Sequence, residues 1–172
     1  MKIAALVIAH GSRDKDWVKL VDEAVRPVRE ELPLPVETAF LELVPGRLIQ
    51  DGIDRLERQG ADGIIVVPLF VSSGSAHLAE IAEALGAEPA LRSASKLPPF
   101  RKSAAIHLCG PVDADEEVIE ILLENVTPLS RRPAEEAVVV VGHGSDRPGF
   151  DAAWRRTLLT AAERLCARGG RS

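Results

Sequence analysis

The sequence has only two cysteines, Cys109 and Cys166, 172 residues with a net charge of −5, and no apolar run near the length of a membrane helix. Each shortage excludes something. Two isolated cysteines make neither a disulfide framework nor a clustered metal site, and they leave no thiolate set for an iron–sulfur centre. The acidic balance, without a basic stripe interleaved with aromatics, argues against nucleic acid as a partner. A membrane span needs ~20 apolar residues, and none is present. The opening MKIAALVIAHGS is too short in its apolar part for a secretory signal and runs into His-Gly-Ser instead of a small-residue cleavage site. A cytoplasmic protein is expected.

What is present is an alternation of apolar runs and amphipathic stretches. Residues 3–9 (IAALVIA), 35–43 (PVETAFLEL), 60–70 (GADGIIVVPLF) and 104–109 (AAIHLC) read as strands. Between them, helical spacing marks 14–31, with Trp17, Leu20, Val21, Ala24 and Val28 on one face, about 46–59, and 75–85. Gly60 is a helix stop, and Ser73 or Ser75 is placed to cap the third helix. The Pro- and Ser-rich run 87–103 reads as a loop, and 114–125 as a further helix. Strands separated by helices of this length predict an α/β fold: flavodoxin-like β-α-β units forming a parallel sheet flanked by helices on both faces.

The chain also repeats itself. ALVIAHGSRDKDW near the start returns as VVVVGHGSDRPGF from Val138, with a tryptophan following in both copies. The sequence therefore predicts a complete lobe over 1–127, a polar linker over 128–136, and over 137–172 the first β-α unit of an incomplete second lobe, with a strand at 137–142 and a helix at about 149–167.

In open parallel sheets, ligands bind beyond the carboxyl ends of the strands, so the residues that close each strand are the site candidates. The first strand closes on His10-Gly11-Ser12, the second on Glu42, and the third leads through Ser72-Ser73-Gly74 to His77. With the first strand between the second and third, His10, Glu42 and His77 converge. Two neutral imidazoles suit a divalent first-row ion and leave coordination positions open, and a carboxylate beside them can take a proton. Free amides at the start of the third helix, with the hydroxyls of Ser72, Ser73 and Ser75, can hold a substrate carboxylate. Arg13, Lys15, Arg47, Arg101 and Lys102 are expected as solvated charges, one or two of them lining the cleft. His107 is expected as a packed or edge histidine, and His143 has no partner equivalent to His77.

AHGSRD at 9–14, AFLEL at 39–43, GADGIIVVPLFVSSGSAH at 60–77 and GPVDADEEVIEILL at 110–123 resemble, in order and spacing, the class II metal chelatases of the sirohydrochlorin cobalt- and iron-chelatase type (CbiX/SirB). The resemblance covers about 1–125 as a full lobe and 137–172 as the beginning of another. It implies an enzyme that inserts Co²⁺, Fe²⁺ or Ni²⁺ into sirohydrochlorin without nucleotide or iron–sulfur cluster, on the route to cobalamin or sirohaem. It further implies His10 and His77 as the metal-ligating and catalytic pair, Glu42 as their acidic neighbour, and Ser12, Arg13, Ser72, Ser73, Gly74 and Ser75 as residues toward the tetrapyrrole's acidic side chains. A homodimer is expected, since a strand at 137–142 without sheet partners is a pairing liability. Two other classes are weighed: a carrier that binds metal or tetrapyrrole without turnover, and a histidine phosphatase. The latter requires Arg directly before the His-Gly pair, where this chain has Ala9.

Overall fold

A computed structural model describes residues 1–93 and 97–169. In chain order the elements are β1 (Ile3–Ala9), α1 (Lys15–Glu31), β2 (Val36–Phe40), α2 (Ile49–Arg58), β3 (Gly63–Pro68), α3 (Ala76–Ala84), β4 (Ala105–Leu108), α4 (Glu116–Val126) and α5 (Pro148–Gly169). Short 3₁₀ turns occupy Thr127–Leu129 and Pro133–Glu135. The middle of the expected loop over 87–103 lies outside the described residues.

The chain divides into two compact units, one of Met1–Phe70 with His77–Pro111, the other of Val71–Ala76 with Val112–Ser172. This division differs from a boundary at 127, because α4 and α5 belong to the same unit.

The first unit is a parallel four-stranded sheet in the order β2-β1-β3-β4. β1 is thus central, as its unbroken apolar sequence requires of a strand covered on both faces. Its alternate side chains divide between two cores. Ala4, Leu6 and Ile8 pack with Ile49, Ile53 and Leu56 of α2 and with Ile81 and Leu85. Ala5 and Val7 face the other way, with Val25 of α1 and Val36. Full burial of each large aliphatic side chain here stabilises by about 1.5–3 kcal/mol.

Local signals set the helix ends. The Asp14 carboxylate accepts from the Asp16 amide to cap α1 (2.9 Å). The Asp51 side chain reaches back to the Leu48 amide at the start of α2 (2.8 Å). Gly60, with φ +86°, closes α2 as expected from its position. Gly52, inside α2, is where that helix lies closest to the sheet: a Cβ there would stand 2.7 Å from Leu6 Cδ1.

The second unit pairs α4 with α5 through Ala114, Ile119, Ala161 and Leu165. The Arg168 guanidinium binds Glu116 and Glu120 across the same pair. The strand expected at 137–142 does not form: among the described residues this segment is irregular, and Val139 and Val141 are 81% and 84% exposed. An apolar run forms a strand only where a neighbour supplies the ladder, and among the described residues this segment has none.

Glu57 ties α2 to the approach to β4. Its carboxylate accepts from the amides of Ser103 (2.6 Å) and Ala104 (2.8 Å), and the Ala104 amide foremost holds its pKa below the ordinary 4.5. A depressed carboxyl stabilises the fold above its unfolded value and loses that contribution as pH falls through the folded one. Urea unfolding of the wild type and Glu57→Gln should therefore differ most above about pH 4.5, with the wild type more stable, and the two should converge in more acidic buffer.

Candidate functional site

The turn after β1 is built on one glycine. Gly11 has φ +102°, and a Cβ there would lie 2.0 Å from the Glu42 carbonyl oxygen. The glycine thus permits the chain leaving β1 to run against the chain leaving β2. Backbone bonds continue this pairing beyond the strands: Leu41 N–H donates to Ala9 (2.9 Å) and Glu42 N–H to His10 (3.1 Å). β2 itself stops at Phe40, short of the expected 43, because Leu43 turns to φ +66° and leads the chain away. Glu42 therefore projects from a turn, not from a strand end.

His10, Glu42 and His77 are brought together in the first unit. The rings of His10 and His77 meet edge to face, with centroids 4.9 Å apart and planes at 76°. His10 Nε2 is 3.7 Å from Glu42 Oε1. The side chains of His10, Glu42 and His77 are 41%, 53% and 50% exposed, so the pair is open to a diffusing ion or a large planar ligand.

Hydrogen bonding fixes the tautomer of His10. Its Nδ1 lies 3.2 Å from the Gly11 carbonyl, which can only accept, so Nδ1 carries the proton. In the neutral ring, Nε2 then holds the lone pair and faces Glu42. On His77, Nδ1 is the nitrogen turned toward a carboxylate, Glu80 Oε2 at 3.7 Å, which favours the proton there and the lone pair on Nε2. Glu80 is only 15% exposed and lies one helical turn after His77, an i, i+3 spacing that the sequence itself displays.

The distances suit one ion. A ring centroid lies roughly 3.2 Å from an ion bound at ~2.1 Å, so two imidazoles on one ion at right or tetrahedral angles have centroids about 4.6–5.3 Å apart. No group of three or more His, Cys, Asp or Glu arranged to hold a metal ion occurs among the described residues. The donor set is thus two imidazoles with a carboxylate alongside, which suits brief holding of an ion better than a structural metal.

The loop carrying Glu42 is clamped by Arg47, which was expected as a solvated charge. Its guanidinium makes a bidentate pair with Asp22 of α1 (2.8 and 2.6 Å) and lies 4.9 Å over the Phe40 ring. Its carbonyl accepts from the Phe40 amide (2.8 Å). The Arg47 hydrogen bond, opposed in part by desolvation, holds the Asp22 carboxyl below its usual range. Arg101 also has a partner, Asp54 at 3.2 Å. Arg13 is exposed, and Ser12 Oγ accepts from the Asp14 amide (3.0 Å) while keeping its own proton to donate. His107 stands exposed on the edge strand β4.

The serine turn is a correction. Ser72 is fully buried, and its hydroxyl accepts from the Gly74 amide (3.0 Å) and bonds Thr157 (3.1 Å). The Ser73 amide donates to Asp113 Oδ1 (2.8 Å), and Ser75 N–H donates to the Ser72 carbonyl (2.9 Å). Gly74 is buried as well. The turn's amides are satisfied from within the second unit, so Ser72 and Gly74 leave the set that can touch a ligand.

The second His-Gly-Ser copy repeats the hydrogen bonds of the first turn but not its close approach to a neighbouring chain segment, since a Cβ on Gly144 would meet nothing within 4 Å. His143 Nδ1 lies 3.2 Å from the Gly144 carbonyl, Gly144 has φ +71°, and Ser145 Oγ accepts from the Arg147 amide (3.2 Å). Its ring lies 6.2 Å from that of Trp154, with no second histidine beside it among the described residues.

Comparison with known proteins gives the same direction throughout. A family model described as CbiX matches residues 4–129. A sirohydrochlorin ferrochelatase of Bacillus subtilis is 30% identical over 149 residues, which is 86% of this chain and 53% of that protein. A sirohydrochlorin cobaltochelatase of Sulfolobus acidocaldarius is 28% identical over 140 residues, covering 81% of this chain and 96% of the relative. The structure of SirB from Bacillus subtilis with Fe³⁺ superposes with a TM-score of 0.72 at 27% identity, over 96% of this chain and 60% of that one. The chain thus spans about half the length of the Bacillus ferrochelatase.

Replacing Gly11 by Ala is predicted to destabilise the first unit by more than about 2 kcal/mol in urea unfolding, because the Cβ meets both an unfavourable φ and a backbone oxygen.

Proposed function

The chain belongs to the CbiX family, and from that premise we propose that it inserts a divalent metal, Co²⁺ or Fe²⁺ with Ni²⁺ as a further candidate, into sirohydrochlorin. The observation that carries this reading is the edge-to-face pair of His10 and His77 at 4.9 Å, with Glu42 beside it. The ion enters as substrate. Two imidazole donors hold it loosely enough to surrender it to four pyrrole nitrogens, and the open positions allow the transfer to begin before the protein lets go.

Insertion of M²⁺ displaces two protons from the ring nitrogens. Glu42, 53% exposed and 3.7 Å from His10 Nε2, is placed to accept one and pass it to solvent, and an imidazole freed of metal takes the other. Ser12 retains a donor and Arg13 an exposed charge at the same turn, which suits them to the acidic side chains of the tetrapyrrole. No nucleotide is required in this scheme, because metal coordination by the macrocycle supplies the driving force. Among the described residues no helix is long and apolar enough to cross a membrane, and a cytoplasmic setting is part of the proposal.

The test is anaerobic absorbance spectroscopy of sirohydrochlorin with Co²⁺ and catalytic amounts of protein. Turnover above the uncatalysed rate is expected, falling at least a hundredfold in His10→Ala and in His77→Ala, and roughly tenfold or more in Glu42→Gln. A spectral change that saturates at one equivalent, without turnover, would mark a carrier instead.

The exposed apolar segment at 137–142, with Val139 and Val141 outward, also supports a homodimer in which it gains a partner. Light scattering at high protein concentration should give twice the chain mass, and a monodisperse monomer would refute the pairing.

A further inference from the structure

The turn before α3 is held by residues far along the chain. The Ser72 hydroxyl, the Thr157 hydroxyl and the Asp113 carboxylate form a directed chain. A carboxylate only accepts, so Thr157 gives its one proton to Asp113 (2.8 Å), and Ser72 must donate to Thr157 (3.1 Å). The same Asp113 oxygen receives the Ser73 amide (2.8 Å), and Ser72 Oγ receives the Gly74 amide (3.0 Å). One partly buried acceptor therefore terminates both a side-chain and a main-chain donor.

Two further features fix the turn within the second unit. A Cβ on Gly74 would lie 2.6 Å from Trp154 Cδ1 and 2.7 Å from the Phe150 carbonyl, so α5 passes against this backbone with no room for a side chain. Asp113 takes up φ +43°, a conformation that Asn and Gly share most readily, to present its carboxylate there. The Ser75 amide closes the turn on Ser72, and α3 begins with Ala76, so His77 is the second residue of a helix whose start is fixed by this network.

We infer that Asp113 and Thr157 are positioning residues for His77, acting through the Ser72–Ser75 turn, and that α5 of the repeated segment serves as a brace instead of opening a second site. This rests on the reading of His77 as a metal-ligating residue. Active-site groups held out of place by even 1 Å can lose about a hundredfold in rate, so a loosened turn has a measurable cost.

Four variants of the full chain separate the roles. Asp113→Gly removes the acceptor without imposing an unfavourable φ, whereas Asp113→Asn keeps both acceptor and conformation. Thr157→Val removes the hydroxyl at constant shape, whereas Thr157→Ser keeps it. Two readouts are taken: without metal, amide exchange at Ser73 and the His77 ring resonances by NMR; with substrates, kcat and KM for Co²⁺ insertion. In Asp113→Gly and Thr157→Val, faster exchange at Ser73, shifted His77 resonances and kcat lowered about tenfold are expected, while Asn and Ser at the same positions stay within about twofold of wild type. Unmoved His77 resonances in Asp113→Gly and Thr157→Val, or equal losses in all four variants, would overturn the inference. Should the NMR changes appear while the wild type itself shows no turnover, the brace stands and the chelatase reading falls.

Discussion

The approach of Gly11 to the Glu42 carbonyl is the constraint on which the site depends. Two parallel strands ordinarily diverge into their helices once the ladder ends. Here a residue without Cβ lets the two exits stay paired for two more residues, and that short extension carries His10 and Glu42 to adjacent places. The carbonyl of the same glycine then sets the proton on His10 Nδ1 and leaves Nε2 facing the carboxylate. Geometry, tautomer and donor direction all descend from one missing methyl group.

The first unit was legible because its signals are local and periodic. Continuous apolar runs gave β1 and β3, helical spacing gave α1 and α2, and Gly60 gave a helix end, so the strand order that brings His10 and His77 together followed from the commonest arrangement of such units. Boundaries were less legible. β2 was extended to residue 43 on apolar content, whereas Leu43 in a left-handed conformation ends it early, and no feature of its type announces that. The segment 137–142 shows the limit most clearly: it repeats the β1 pattern, but a strand is a property of a pair, and the partner is not encoded in the strand itself.

The tethering of the serine turn was hidden for a different reason. Asp113 and Thr157 lie 40 and 85 residues from the groups they bind, and hydrogen bonds of that span leave no periodic trace. One signal existed. Thr157 is a polar residue on the stripe of Phe150, Ala153, Ala161 and Leu165 that α5 buries, and a polar group on an apolar face calls for a specific partner. Arg47 was missed in the same way, since a single arginine in a loop gives no sign that Asp22 awaits it on another helix.

The separation of Ser72 from Thr157 also has a meaning in time. A chain emerging from the ribosome at about 5–20 residues per second presents Thr157 roughly 4–17 s after Ser72, long after every strand of the sheet is available. During synthesis the sheet can close while the turn before His77 still lacks its brace. Helix α5 therefore completes, seconds later, a turn whose own residues are made before β4, and the approach to α3 takes its final form after the sheet has closed.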